Sequence, residues 1–279
     1  MKQTPDVIDL NAYFQRIGHS GDRSPTLTTL QAIHLCHAKA IAFENLNPLL
    51  KQPVLLDLES LQRKLIHERR GGYCFEQNLL LRSVLLTLGF QVTGLAARVL
   101  WGLPKGSIMP LTHMLLRIDL DGETYIADVG FGGLTLTSPL SLKPDFQQST
   151  PHELFRLIVE GSAHVMQAFV GQEWKSLYRF DLHEQQLPDY EVSNWYISTH
   201  PNSLFVNSLI AARPDSERRY ALRNNQLVIH HLDGPNERKI LNTATELRSV
   251  LEDLFQLELG AIANLDAVLQ WIVEKPFDV

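Results

Sequence analysis

Three residues in this chain have side chains suited to nucleophilic acyl chemistry: Cys74, His113 and Asp128. Cys74 lies in Arg70-Gly71-Gly72-Tyr73-Cys74-Phe75-Glu76-Gln77-Asn78, where two glycines break the preceding segment. The apolar run after it (Leu79, Leu80, Leu81, Val84, Leu85, Leu86, Leu88) predicts a buried helix closed at Gly89. A thiol at a helix start faces unpaired backbone N–H groups and the positive end of the helix dipole. Both favour thiolate, the nucleophilic form. The competing reading is a structural cysteine packed as a small hydrophobe.

A cysteine nucleophile needs a base, and the base needs an orienting acceptor. Leu111 to Leu120 alternates, with Met114, Leu116, Ile118 and Leu120 on one face and His113, Leu115, Arg117 and Asp119 on the other. That is the period of a half-buried strand. Asp121-Gly122 is a strong hairpin signal, and Glu123 to Val129 reads as the returning strand. A two-residue loop pairs Leu120 with Glu123 and brings Leu115 opposite Asp128. His113 and Asp128 then share a face as diagonal neighbours, within reach of a ring side chain. A three-residue loop would turn Asp128 away. Taken singly, His113 is as well explained as a satisfied core or surface histidine, and Asp128 before Val129-Gly130 as the start of a turn. Spacing alone does not bring Cys74 to the hairpin.

Start signals place the elements that must hold these residues. Asp9 opens a short helix stopping at Gly18, Thr28 with Gln31 forms a capping box for a helix through Ala40, and Asp57 caps Leu58 to His67. Strands are expected at Val92 to Leu100, Leu154 to Glu160 and Trp174 to Phe180. Thr243 with Glu246 opens a helix whose Leu247, Val250, Leu251, Leu254 and Glu258 keep helical spacing. Arg70 and Glu44 read as a structural ion pair joining two helical segments, and His230-His231 as a solvated strand edge.

The run Arg70 to Asn78 resembles the active-site signature of the arylamine N-acetyltransferases, in its bacterial form. Ala42-Phe43-Glu44-Asn45-Leu46, Asp128-Val129-Gly130-Phe131-Gly132 and Ser198-Thr199-His200-Pro201-Asn202-Ser203-Leu204-Phe205 resemble further blocks of that family, in the same order. The likeness covers most of residues 5 to 215. It implies an α+β fold with a helical bundle (1–90), a β-barrel (91–200) and a C-terminal α/β lid (201–279). Between the first two it implies a cysteine-protease-like triad of Cys74, His113 and Asp128.

The implied activity is ping-pong transfer of acetyl from acetyl-CoA, the co-substrate, through Cys74 to small aromatic amines, arylhydroxylamines or hydrazines. Gly130, Phe131, Gly132 and Gly133 are then expected near the coenzyme A pyrophosphate. A glycine cluster after a strand has N–H groups to offer phosphate, although taken alone it is more simply a tight bend. By the same resemblance Phe43, Phe131 and Phe205 line an apolar slot for a flat amine; by composition alone they are core residues. Two other uses of the triad stand beside this one: a family amide synthase joining an aryl amine to a polyketide chain, and a cysteine hydrolase.

Composition narrows the classes. The chain has 279 residues, enough for a sizeable core in two or three subdomains. A net charge of −6 and a pI near 6.0 argue against nucleic-acid binding. No apolar run is long enough to span a bilayer, so no membrane partner is expected. Met1 to Asp6 shows no apolar leader region. Only Cys36 and Cys74 are available for a disulfide, and a working thiolate requires a reducing compartment, which points to the cytoplasm. No histidine or cysteine pair has metal-ligand spacing, so neither a metal nor a tightly bound cofactor is expected, and a monomer or weak homodimer is.

Overall fold

The computed structural model describes residues 7–104, 106–260 and 262–274. Met1 to Asp6, read above for a leader, lie outside them. The N-terminal part opens with α1 (Leu10–Ile17), capped by the Asp9 carboxylate and ended at Gly18 in the left-handed region. α2 (Leu27–Ala40) begins earlier than its capping-box reading: Thr26, not Thr28, is the N-cap, with extended backbone and its hydroxyl accepting from the Thr29 N–H. Two residues of strand, β1 (Phe43–Glu44), precede the short α3 (Leu46–Leu49). Asp57 caps α4 (Leu58–Leu61), which continues as a π-helical stretch, Gln62–His67. α5 (Cys74–Thr87) starts at the cysteine itself, and Gly89 closes it with φ 92°.

The central part is one antiparallel sheet curled into a nearly closed barrel. Its strands are β2 (Gln91–Val99), β3 (His113–Leu120), β4 (Glu123–Ala127), β5 (Leu140–Ser141), β6 (Gln148–Ser149), β7 (Leu154–Glu160), β8 (Ala163–Val170) and β9 (Glu173–Phe180), in the order β5-β4-β3-β2-β9-β8-β7-β6. The two end strands are joined by a side chain: the Gln148 amide accepts from the Ser141 N–H and donates to the Ser141 carbonyl, both at 2.8 Å. β3 has apolar residues on both faces. Met114, Leu116 and Ile118 pack with α2 and α5, while Leu115 points into the barrel with Leu95, Ala97 and Phe155. The strand is therefore fully buried over His113 to Leu116 rather than half-buried as its alternation suggested.

α6 (Leu187–Thr199) and α7 (Leu204–Asn207) lead into a second sheet. It is built from β10 (Ile210–Pro214), β11 (Arg218–Arg223), β12 (Gln226–His231) and β13 (Glu237–Ile240), with β1 on its far side, in the order β1-β10-β11-β12-β13. His230 and His231 end β12, paired with Arg219 and Arg218 of β11 but beyond the β13 ladder, which stops at Ile229. α8 (Ala244–Asp253) and α9 (Leu265–Glu274) cover one face of this sheet. The helical spacing extrapolated to Glu258 breaks after α8: Gln256 takes φ 56°, and the following turn buries Phe255, Leu257 and Leu259 beside Leu247 and Leu251.

Candidate active site

The turn carrying Cys74 is held by backbone contact that only glycine permits. Gly72 donates to the Ala42 carbonyl (3.2 Å) and accepts from the Glu44 N–H (3.1 Å), so residues 71–72 lie alongside β1. A Cβ on Gly71 would sit 2.1 Å from the Ala42 carbonyl oxygen, and one on Gly72 2.7 Å from the Glu76 carboxylate. Below this turn is a buried set of charges. Arg70 grips Glu44 through Nε and Nη2 (3.1 and 2.7 Å), and Lys64 meets Glu76 at 2.6 Å. The expected Arg70–Glu44 pair is present, but it ties β1 to the loop before α5 rather than helix to helix. Burial pushes the Glu44 carboxyl up, yet Arg70 and Lys64 outweigh it and hold the carboxyl below its usual range. For Glu76 burial wins over Lys64, and its carboxyl is raised. Glu76 also accepts the Tyr73 N–H at 3.0 Å. The N–H of Cys74, the first residue of α5, has no intrahelical acceptor.

The hairpin delivers the other two residues. Leu120 pairs with Glu123 across Asp121-Gly122, both at positive φ, as a two-residue I′ loop requires. The ladder ends at Ala127, short of the expected Val129. Asp128 turns toward β3, and its Oδ2 lies 2.7 Å from His113 Nε2. The other oxygen, Oδ1, accepts from the Gly130 N–H (2.9 Å) and Asn78 Nδ2 (3.1 Å). Cys74 Sγ lies 3.7 Å from the carbonyl of Thr112, the residue before His113. All three side chains are buried, at 3 %, 3 % and 0 % exposure.

Burial alone would hold His113 neutral. The Asp128 charge and hydrogen bond, with Cys74 adding to them, outweigh it and push the imidazole up to about 10. For Asp128, burial is overcome by His113 and by the Gly130 and Asn78 hydrogen bonds, which keep the carboxyl below its ordinary value.

The three phenylalanines expected at the site separate into two groups. Phe43 and Phe205 meet edge to face at 5.9 Å, with Tyr73 against Phe205 at 5.3 Å. Phe131 instead stands over His113 (5.2 Å) and against Tyr178 (5.1 Å). Gly132 connects the groups, its Cβ direction meeting the Phe43 ring at 3.7 Å. In the glycine loop, the Gly130 N–H is committed to Asp128 and the Phe131 N–H to Thr135 Oγ1, which leaves those of Gly132 and Gly133 for an anion.

Known proteins resemble this chain along nearly its whole length. Residues 26–264 match the N-acetyltransferase family model. An arylamine N-acetyltransferase from Mycolicibacterium smegmatis is 42% identical over 93% of this chain and 96% of its own length. One from Escherichia coli is 42% identical over 89% of this chain and 88% of its own. The chain belongs to the arylamine N-acetyltransferase family. The solved structure of the Mycobacterium marinum arylamine N-acetyltransferase in complex with CoA superposes with a TM-score of 0.91 at 39% identity, covering 95% of this chain and 99% of that one. The protein is thus an acyltransferase with the N-acetyltransferase fold.

Four neighbours of Cys74, His113 and Asp128 escaped the sequence. Asn78 donates to Asp128 and to the Met114 carbonyl (2.8 Å) and accepts from the Val129 N–H (3.2 Å), tying α5 to both hairpin strands. It stands four residues after Cys74, on the same helix face, and that spacing was the available signal. His34 accepts the Asp128 N–H through Nε2, and its burial drives the imidazole down to about 3, so it stays neutral. Thr135 donates to the Asp128 carbonyl at 3.0 Å. The Tyr178 ring packs against His113, tilted by 41° at 4.9 Å. Nothing local in sequence marks the last three. Among the described residues no group of three His, Cys, Asp or Glu side chains is placed to hold a metal, and no helix is long and apolar enough to cross a membrane.

Proposed function

We propose that this enzyme carries acetyl from acetyl-CoA to arylamines, arylhydroxylamines and hydrazines through a thioester on Cys74. The observation that carries the reading is a cysteine at a helix start, next to a buried His113–Asp128 pair whose imidazole is held charged. His113 Nε2 is taken by Asp128, which leaves Nδ1 for the Cys74 side. In the reaction the Cys74 sulfur acts as the thiolate, with its proton carried by His113.

Thiolate sulfur attacks the thioester carbonyl of the donor. The tetrahedral oxyanion meets the unpaired Cys74 N–H. On collapse the C–S bond to coenzyme A breaks, and the leaving thiolate takes the His113 proton. The amine nitrogen then attacks the acetyl carbonyl on Cys74 and passes its proton to neutral His113. Asp128 stabilises the imidazolium so formed, and collapse releases the amide and restores the thiolate. Phe43, Phe205 and Phe131 form the apolar surroundings of the acceptor ring, and the Gly132 and Gly133 N–H groups face the donor's phosphate side. Burial of the acetylated sulfur keeps water from competing with the amine.

Amide synthesis on a polyketide chain and hydrolysis would use the same triad, but the relatives' names give neither reading support. Initial velocities with acetyl-CoA and an arylamine such as 4-methoxyaniline test the proposal. A covalent acetyl-enzyme gives parallel double-reciprocal lines, whereas intersecting lines would mean direct transfer in a ternary complex.

A further inference from the structure

Helix α2 sends two histidines into the core, His34 and His37, three residues apart on one face and both fully buried. Their buried neighbours on the helix include Leu30, Ile33 and Ala38, a setting in which an imidazole costs free energy that a leucine would not. The hydrogen bonds of the two rings lead to different halves of the site.

The His34 bond goes to the acid. The β3–β4 ladder stops at Ala127, so the buried Asp128 N–H has no strand partner, and His34 Nε2 accepts it at 3.2 Å. With the Thr135 hydroxyl on the Asp128 carbonyl at 3.0 Å, side chains hold both backbone groups of the aspartate. A backbone N–H only donates, so Nε2 is bare and the neutral ring carries its proton on Nδ1. The His37 bonds lead to the nucleophile. Gln77, on α5 just after Cys74, directs its Nε2 at the carbonyls of Ile41, Ala42 and Gly72, at 3.1, 3.0 and 3.2 Å. Carbonyls only accept, which fixes the amide and turns its Oε1 toward His37 Nε2, 2.7 Å away. His37 therefore donates from Nε2 and accepts at Nδ1, where the Tyr13 hydroxyl lies at 2.8 Å. The backbone thus sets the two rings in opposite tautomers. Burial keeps both neutral, driving His34 down to about 3 and His37 to about 4.

We propose that His34 and His37 are positioning residues, which make α2 the common support of Asp128 and of the turn before Cys74. His34 fixes the peptide from which the Asp128 carboxylate reaches His113. His37 fixes the amide that holds Gly72, and with it the entry to α5. The inference rests on Cys74, His113 and Asp128 being the catalytic set. In the other tautomer His34 would set N–H against N–H, and His37 would set a lone pair against the Gln77 oxygen. One rigid helix thereby fixes the spacing of two segments that lie far apart in sequence.

Two measurements test the role. Long-range proton–nitrogen correlation spectra of the parent, labelled at histidine, read which ring nitrogen carries the proton. Nuclear Overhauser contacts with the Asp128 N–H and the Gln77 amide identify the two rings. The expected result is Nδ1–H at His34 and Nε2–H at His37; one tautomer shared by both, or a mixture at either, would overturn the proposal. Rapid-quench acetylation of Cys74 across acetyl-CoA concentrations then compares the parent with His34→Leu and His34→Gln, with thermal melting alongside. Leucine offers the Asp128 N–H no acceptor, whereas the glutamine oxygen offers one at a reach similar to that of Nε2. His34→Leu should lose about tenfold or more in maximal rate, with the half-saturating concentration unchanged, and His34→Gln should recover most of the loss. A parent-like maximal rate in His34→Leu, or a His34→Gln as slow as His34→Leu, would overturn the positioning role whatever the melting temperatures. A parent whose Cys74 takes no acetyl would instead overturn the catalytic assignment beneath it.

Discussion

Replacing Gly130 by alanine tests the geometry that joins the hairpin to the cysteine helix. An alanine Cβ there would lie 2.6 Å from Cys74 Cα, 2.9 Å from Asn78 Nδ2 and 3.2 Å from the Cys74 carbonyl oxygen. Carbon atoms in contact sit at about 3.5–4.0 Å, and the nearest atom here is backbone in the first turn of α5. The two segments must therefore separate by about 1 Å, the gap between 2.6 Å and ordinary contact. That displacement pulls on the Asn78 bonds to Asp128 and Val129 and on the Gly130 N–H bond to Asp128. A misplacement of this size costs roughly 10²-fold in rate, or about 2.7 kcal/mol of barrier at 1.36 kcal/mol per decade. Overpacking should lower stability by about 1–3 kcal/mol, so the fold survives and the two effects can be measured apart. The assay is rapid-quench intact-protein mass of Cys74 acetylation at saturating acetyl-CoA, with thermal melting alongside. Acetylation by Gly130→Ala at the parent rate would refute the reasoning, because it would mean that the hairpin can shift without moving the triad.

Three further perturbations are readily measured. Asp128→Asn should keep the fold but leave His113 without its orienting carboxylate, lowering acetyl transfer by about four orders of magnitude; a near-parent turnover number would show that another group orients the ring. Arg70→Met leaves the buried Glu44 carboxylate only Lys64, at 3.8 Å, as a cation and should cost about 3 kcal/mol in urea unfolding, with much of it recovered in Arg70→Met/Glu44→Gln; a loss under about 1 kcal/mol would mean that Lys64 or water takes over the Arg70 role. Burial first of all pushes His34 to about 3 and His37 to about 4, below the unfolded value of about 6.5, so their contribution is complete above that pH and is lost as pH falls. His113, pushed up to about 10, contributes fully below about 6.5 and loses that contribution as pH rises toward about 10. The urea midpoint should accordingly be highest near about pH 7 and fall on both sides, and a flat profile from about pH 5 to 9 would contradict these assignments.

Much of the site was legible because its signals are local. The Asp121-Gly122 loop fixes its own register, and from that register the His113–Asp128 contact follows by counting. The glycine pair, the cysteine and the long apolar run announce α5, and Asp9 and Asp57 cap their helices as read. What was missed depends on partners distant in sequence. β1 is two residues long and exists because Phe43 finds Ala212. β10, β11 and β13 carry arginines on both faces of the sheet, Arg213 and Arg218 beside Tyr220 and Arg219 and Arg238 on the opposite face, which masks the alternation of a half-buried strand. Thr26 rather than Thr28 caps α2 because the backbone at Thr26 is extended, a choice between two threonines two positions apart that composition does not rank. Asn78 was in view, yet its role appears only once α5 lies against Met114 and Val129.

The most direct test of the covalent account is intact-protein mass after adding acetyl-CoA with no acceptor, with Cys74→Ala in parallel. The account predicts one acetyl adduct in the parent, none in Cys74→Ala, and loss of the adduct on adding an arylamine, with the acetylated amine appearing in equal amount. An adduct that persists in Cys74→Ala, or one that water removes as fast as the amine does, would contradict it.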